Sequence, residues 1–475
     1  MCFKKILIGP LLLCFCGCLP QIVSLKANKE IPEEFRTSDP GEELQNVSRI
    51  NWREYFNDQD LTALVELALK NNQELNIFLQ EIEIAENEIS ARKGAYLPSI
   101  ELGGGAGLDK VGKYTRNGAT EENLNIEDGK SFPEPFPDYS FGAHASWEID
   151  IWNKLRNAQK SAMMKYLATI EGKNFLVTNL ISEVAANYFT LISLDKQLEI
   201  LMQNIEIQQN ALEVVKAKKE AGRLTELPLK RFEGQLYKTK SLIFEIKQQI
   251  IVTENKINFI VGRYPQQVVR NGKDFDYLLP NQIRSGLPAD LLENRPDIKQ
   301  AEFQLKAAEL DVEVAKARFY PRLSLSGDVG YQAYATDKLI NSPESLIYSL
   351  GGNLVGPLIN RLDIAAMYLN SDLEQTKAVK NYEKVLLNAF MEVSNQLSNI
   401  RNLESTYSYQ SQQVRALNDS VSISGTLFNS ARADYMEVLL TQRDALESRF
   451  DLIDTRLEQL HASVDVYRAL GGGWN

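Results

Sequence analysis

YLPSIELGGG at residues 96–105 and FYPRLSLSGD at 319–328 are written alike: aromatic residues, a proline, then an alternating run that dissolves into glycine. Upstream of each, from Asp60 to Tyr96 and from Asp297 to Tyr320, apolar residues recur at helical spacing without a proline. Acidic residues open both stretches, and Pro296 suits a first helical turn, so each reads as a helix. Both helices stop at the quoted proline, Pro98 or Pro321. There the period changes from helix to strand, and this junction occurs twice, about half a chain apart.

Downstream of Pro321, Leu323, Leu325, Gly327, Val329, Tyr331 and Ala333 alternate with Arg322, Ser324, Ser326, Asp328, Gly330 and Gln332. The run SFGAHASWEIDIW from Ser140 alternates likewise, with Phe141, Ala143, Ala145, Trp147, Ile149 and Ile151 on one face and Gly142, His144, Ser146, Glu148 and Asp150 on the other. Period two with one apolar and one polar face predicts four strands, at about 98–109, 139–151, 321–334 and 346–357. A long polar loop from Lys110 to Asp138 joins the first two, which resembles a transmembrane hairpin.

The rest of each half reads as helix on a large scale. Ile181, Val184, Tyr188, Leu191, Leu194, Leu198, Leu201 and Ile205 step by three or four, as do Val379, Tyr382, Leu386, Ala389, Val393, Leu397 and Ile400. Such spacing is a coiled-coil signature. A helix from about Leu155 to Glu220 would extend roughly 100 Å at about 1.5 Å per residue. Short interruptions at 221–228 and 429–436 read as helical hairpin tips. The predicted unit is helix, strand, strand, long helix, tip, helix, written as two internal repeats at 59–270 and 289–475, with a linker at 271–288.

The four cysteines are Cys2, Cys14, Cys16 and Cys18, so the body holds neither a disulfide framework nor a thiolate metal site. MCFKKILIGPLLLCFCGCLP has a basic pair and a short apolar core, which predicts a signal peptide over 1–17. Gly17-Cys18 resembles a bacterial lipoprotein processing site, with Cys18 as the acylated first residue of an N-terminal extension over 18–58. A formal net charge of −11 disfavours nucleic acid or an anionic membrane surface as the main partner. No run of about 18 apolar residues follows Cys18, so strands are left to do any membrane spanning.

Four strands with one apolar face cannot close a barrel, since a filled one already takes about eight. An open sheet would leave unpaired edge groups in hydrocarbon. Symmetric copies solve this: two give eight strands with little lumen, three give twelve and an open one.

SWEIDIWNKLRNAQKSA (146–162), GLPADLLENRPDIKQAE (286–302), ARFYPRLSL (317–325), ARADYMEVLLTQRDALES (431–448) and YRALGGGW (467–474) carry a resemblance to the outer-membrane factor family, the TolC-like and OprM-like channels of tripartite efflux systems. It runs from about Trp52 to Trp474 in the family's order. The resemblance implies a mixed α/β membrane protein: a homotrimer whose 12-stranded transmembrane β-barrel is continuous with a long periplasmic α-helical coiled-coil barrel. It also implies outer-membrane lipid around the barrel, a periplasmic adaptor (membrane fusion) protein and an inner-membrane efflux pump of the RND type as partners. Near the second tip, Met436, Glu437, Leu440, Arg443 and Asp444 match the periplasmic gate. One family carboxylate position matches Glu437 while another is Leu440 here, so the gate is expected to be partly an apolar plug. Gly222, Arg223, Leu224 and Thr225 at the first tip, with Ala431, Arg432 and Ala433 at the second, match adaptor-docking positions.

No enzyme constellation appears. The only histidines, His144 and His461, are far apart with no cysteine nearby, so no metal site is expected. GGGAG at 103–107 lies in a strand and the terminal GGG follows a helix, so neither is a phosphate loop, and no cofactor is expected. The leading reading is a passive exit duct of the outer membrane. The competing one is a lipid-tethered periplasmic coiled-coil scaffold, which would have no use for alternating strands with long polar loops.

Overall fold

The structure is a computed structural model that describes residues 20–22, 25–32, 50–271, 290–430 and 432–474. Its elements, in chain order, are α1 (Trp52–Phe56), α2 (Gln59–Asn71), α3 (Gln73–Ala95), β1 (Ser99–Asp109), α4 (Arg116–Asn123), β2 (Asn125–Glu127), β3 (Lys130–Ser131), β4 (Phe136–Ile149), α5 (Lys154–Glu220) and α6 (Glu226–Ile260). There follow α7 (Asp290–Asn294), α8 (Pro296–Ala317), β5 (Arg322–Ala333), β6 (Leu346–Val355), α9 (Leu362–Asn429) and α10 (Tyr435–Ala469). The chain divides into a unit that holds the strands (Met1–Lys26, Ile84–Tyr166, Phe303–Val379) and a helical unit (Ala27–Glu83, Leu167–Glu302, Lys380–Asn475).

In the first unit the sheet order is β1-β4-β5-β6, antiparallel throughout. Each strand follows its two-residue period, so the registers sort the side chains by face. Leu102 pairs with Ala143, Trp147 with Leu325 and Val329 with Tyr348 on the apolar side. Much of that side is bare: Leu102 is 86%, Tyr348 81% and Leu350 87% exposed. On the other side Glu101, His144, Asp328 and Ser349 fall in one row across all four strands. His144 Nδ1 lies 2.5 Å from Asp328 Oδ1, and the Ser349 hydroxyl donates to Asp328 Oδ2 at 2.7 Å. Among the described residues, β1 and β6 each pair along one edge only.

Gly142 and Gly330 face each other between β4 and β5 on the polar side. A Cβ at Gly142 would sit 2.7 Å from the Val329 carbonyl oxygen, and one at Gly330 2.5 Å from that of Phe141. On the apolar side, Gly104 and Gly327 have no neighbour closer than 3.5 Å. The two central strands therefore close up toward the polar face, the use to which glycine is put where a sheet bends.

The helix-to-strand junctions are stapled by tryptophans from β4 and its end. The Trp147 indole donates to the Tyr96 carbonyl at 3.0 Å and that of Trp152 to the Pro321 carbonyl at 2.8 Å, while Trp152 stacks on Tyr320 with ring centroids 4.7 Å apart. The long loop is more ordered than its polar composition suggests. It contains α4, N-capped by Thr115, and the small β2–β3 pair, and β4 begins at Phe136 rather than near 139.

The helical unit buries the stripes anticipated from heptad spacing: Ile181, Val184, Tyr188, Leu191 and Leu201 of α5 pack with Tyr382, Ala389 and Val393 of α9, or lie along the same core. Tyr55 stacks on Tyr467 at 4.4 Å, and Tyr467 donates to the Ile50 carbonyl at 2.7 Å. Buried Arg295 pairs with Asp297 at 2.7 Å and Glu392 at 2.9 Å, and donates to the Ala469 carbonyl. Three details differ from the sequence reading. The helix expected from Asp60 to Tyr96 breaks at Asn72, whose side chain caps Leu75 and donates to the Ile260 carbonyl. The two tips are shorter than 221–228 and 429–436, since α6 starts at Glu226 and α10 at Tyr435. One window of α5 is apolar enough to cross a membrane by composition, but 56% of it is buried within the protein, which accounts for its apolarity.

Candidate functional site

At the first tip α5 ends in a left-handed glycine. Gly222 has φ +69°, its N–H reaches the Lys219 carbonyl and the Arg223 N–H reaches that of Lys218, both at 2.9 Å. This pair of bonds is the Schellman stop, which only a residue tolerant of positive φ makes cheaply. Thr225 is the N-cap of α6 but its side chain makes no capping bond. Glu226 instead binds Lys219, and that contact holds its carboxyl below the ordinary range. Arg223 is exposed, while Leu224 turns in against the tip's apolar cluster.

At the second tip the Arg432 N–H closes on the Leu427 carbonyl at 2.8 Å, and Asp434 caps α10 through the Tyr435 N–H. Arg432 is exposed and Ala433 half-buried. Ala431 and Cys18 lie outside the described residues.

The two tips are joined to each other. Val215, Leu229, Phe232, Phe428 and Val438 form one buried cluster drawn from α5, α6, α9 and α10. Above it Lys218 Nζ donates to the Phe428 carbonyl at 2.8 Å and lies 3.8 Å from the centre of the Phe428 ring. Burial there, with the Arg223 charge nearby, holds the Lys218 ammonium below its ordinary range. Arg231 of α6 also reaches Met436 Sδ at 3.2 Å.

Of the gate candidates, Glu437 and Leu440 are exposed on the first turns of α10, with Leu440 41% accessible. Met436 is half-buried against Arg231, so it is not part of the same open surface. Arg443 pairs with its own neighbour Asp444 at 3.0 Å, and both side chains are nearly half exposed. Val438, Gln442 and Leu446 fill the opposite, buried face.

One further feature of this helix stands apart from its apolar periodicity. Glu437, Asp444, Glu447, Asp451, Asp454 and Glu458 recur at steps of seven, three and four, and so make an acidic stripe along one side of α10. Burial, then the Asp451 charge, pushes the Asp454 carboxyl above the ordinary carboxylate range, although the Gln197 amide donates to it at 2.7 Å. The spacing is visible in the sequence, but attention to apolar periodicity hides it.

Among the described residues, no three His, Cys, Asp or Glu side chains gather as metal ligands. A one-sided four-stranded sheet joined by long helices to a pair of hairpin tips is the make-up of an outer-membrane channel with a helical extension. The chain belongs to the outer membrane efflux protein family, whose profile matches residues 64–263 and 287–472. It is an outer-membrane factor. The pyoverdine export outer membrane protein OpmQ of Pseudomonas aeruginosa is 27% identical over 467 residues, 98% of this chain and 95% of that protein. The cation efflux system protein CusC of Escherichia coli is 26% identical over 452 residues, 94% and 93% of the two chains. Among solved structures, the outer-membrane channel OprN superposes with a TM-score of 0.84 at 23% identity, over 97% of this chain and all of that one, 100%. That likeness establishes the fold.

Proposed function

We propose that this protein is the outer-membrane exit duct of a tripartite efflux system: three copies close a 12-stranded barrel, and cargo handed over by an inner-membrane pump and a periplasmic adaptor passes through it without chemistry. The observation that carries this reading is the sheet. Its apolar face is bare, its polar face is laced with hydrogen bonds, and both outer strands keep an unpaired edge. An edge strand in hydrocarbon is untenable unless another copy pairs with it. The close approach at Gly142 and Gly330 supports closure around the polar face, which would then line an aqueous lumen.

The two halves, each helix, strand, strand, long helix and helix, act as internal repeats in this reading. The bound tips form the periplasmic end. Glu437 and Leu440, thrice repeated, narrow the tube there; Met436 stands behind them, and the Arg443–Asp444 pair lies one turn further. Gly222, Arg223, Leu224, Thr225, Ala431, Arg432 and Ala433 face the adaptor, and the pump is of the RND type. Cys18 carries the lipid anchor. Ile22 packs against Phe319 and Tyr368 beside the β5 junction. In this reading the choice of cargo lies with the pump, in keeping with similar proteins named for pyoverdine export and for cation efflux.

Planar-bilayer recording tests the function. The purified protein is expected to give discrete, mostly closed channels. A protein that inserts yet never conducts, with or without partners, would contradict it.

A further inference from the structure

On the polar face of the sheet the registers stack side chains in rows that cross the strands. Ser99, Ser146, Ser326 and Gly351 make one row, Glu101, His144, Asp328 and Ser349 the next, and Gly103, Gly142, Gly330 and Ile347 the one after. The charged row is bordered by short serines on one side and mostly by bare backbone on the other, so its side chains stand out from the face. Glu101, His144 and Asp328 are all exposed. The Asp328 carboxylate is held from both sides, by His144 Nδ1 at 2.5 Å and by the Ser349 hydroxyl at 2.7 Å. The other ionisable groups of this face are Asp109, Asp138, Glu148 and Arg322, all nearer the strand ends, and Glu148 is paired with Lys154. Arg322 is the one fixed cation on the polar face of the four strands, so at mid-sheet only His144 can carry positive charge.

We propose that His144 sets the ion selectivity of the barrel. The inference rests on the duct reading above, in which the polar face lines the lumen and three copies of the row form a band around it. With a neutral imidazole each row carries two negative charges, on Glu101 and Asp328; a protonated one leaves a net charge of one. Histidine is the side chain whose charge changes in the mildly acidic range. Rings of carboxylates favour cations, so the band prefers cations at neutral pH and loses half its charge on acidification. Anionic solutes meet the greater barrier at neutral pH and a lower one once His144 is charged.

The test records the full-length protein in planar bilayers under a potassium chloride gradient, at about 0.1 M on the dilute side, where charges act over about 10 Å. The reversal potential gives the potassium-to-chloride permeability ratio at about pH 7.5 and about pH 5.5. Acidification should lower the wild-type ratio about twofold or more. His144→Gln, which stays neutral, should hold the higher ratio at both pH values, and His144→Lys, which stays charged, the lower one. The gate carboxylate Glu437 is common to all variants, so its contribution cancels in the comparison. Glu101→Gln touches neither bond to Asp328 and should lower the ratio at neutral pH while keeping the pH response, which carries the test should the His144 variants fail to assemble. A wild-type ratio indifferent to pH, a His144→Gln response equal to that of wild type, or an unaltered ratio in Glu101→Gln would overturn the proposal. Wild-type protein that inserts and never conducts would instead overturn the duct reading beneath it.

Discussion

Replacing Lys218 with methionine removes a side chain that both bonds and covers the end of α9. Its ammonium donates to the Phe428 carbonyl at 2.8 Å, in the last turn of a helix where carbonyls have no intrahelical partner, and lies 3.8 Å from the Phe428 ring. A hydrogen bond to a charged donor contributes about 1.5–3 kcal/mol and a cation–π contact about 0.5–1 kcal/mol. Against these stands the cost of burying the ammonium, the same burial that lowers its pKa, which Met does not incur. The apolar cluster below is untouched, so the tips stay folded and a net loss of about 1–2 kcal/mol falls on their junction. If that junction is intact only in the closed duct, the open-to-closed ratio rises about five- to thirty-fold. Single-channel recording in planar bilayers reads this as open probability. Lys218→Arg, which keeps a charged donor, should stay near wild type. Unchanged open probability in Lys218→Met, in protein with unaltered melting, would refute the clasp.

Cys18→Ala should abolish incorporation of labelled palmitate while leaving the fold of the body intact, as checked by circular dichroism; label still present in the variant would rule out this anchor. Leu440→Ser should raise single-channel current and vancomycin sensitivity, because an apolar constriction blocks ions by dewetting, whereas Glu437→Gln should shift cation preference with less effect on closure. Gly330→Val places a branched side chain where even a Cβ would meet the Phe141 carbonyl at 2.5 Å, and should prevent the heat-resistant oligomer that the wild-type protein is expected to give on gels. Asp454 has a carboxyl raised by burial and by Asp451, so the folded chain holds its proton more firmly than the unfolded one and stability falls as pH rises through the folded-state value. Asp454→Asn should therefore raise Tm more at neutral pH than at pH 4, and an equal gain at both would contradict the sign.

The long helices and the four strands were legible because their signals repeat. Tyr188 and Tyr382 sit in apolar heptads that had to be buried, and both are. Period two likewise assigned Trp147 and Leu325 to one face and His144 and Asp328 to the other. Isolated polar choices were not legible. Asn72 breaks a helix through a bond to the Ile260 carbonyl, far away in sequence, and α4 forms in a loop without apolar periodicity to announce it. The tips show both cases. Gly222 marks a helix stop from sequence alone, but the clasp of Lys218 on Phe428 links residues 210 positions apart and exists only once the two hairpins lie together.

In the proposed duct one chain supplies a third of a closed barrel. Native mass spectrometry of the protein extracted from outer membranes, without cross-linking, tests it most directly. The expected result is a single species of three 53.7 kDa chains, less the signal peptide and plus the anchor. A stable monomer or dimer that keeps its strand signal would contradict it.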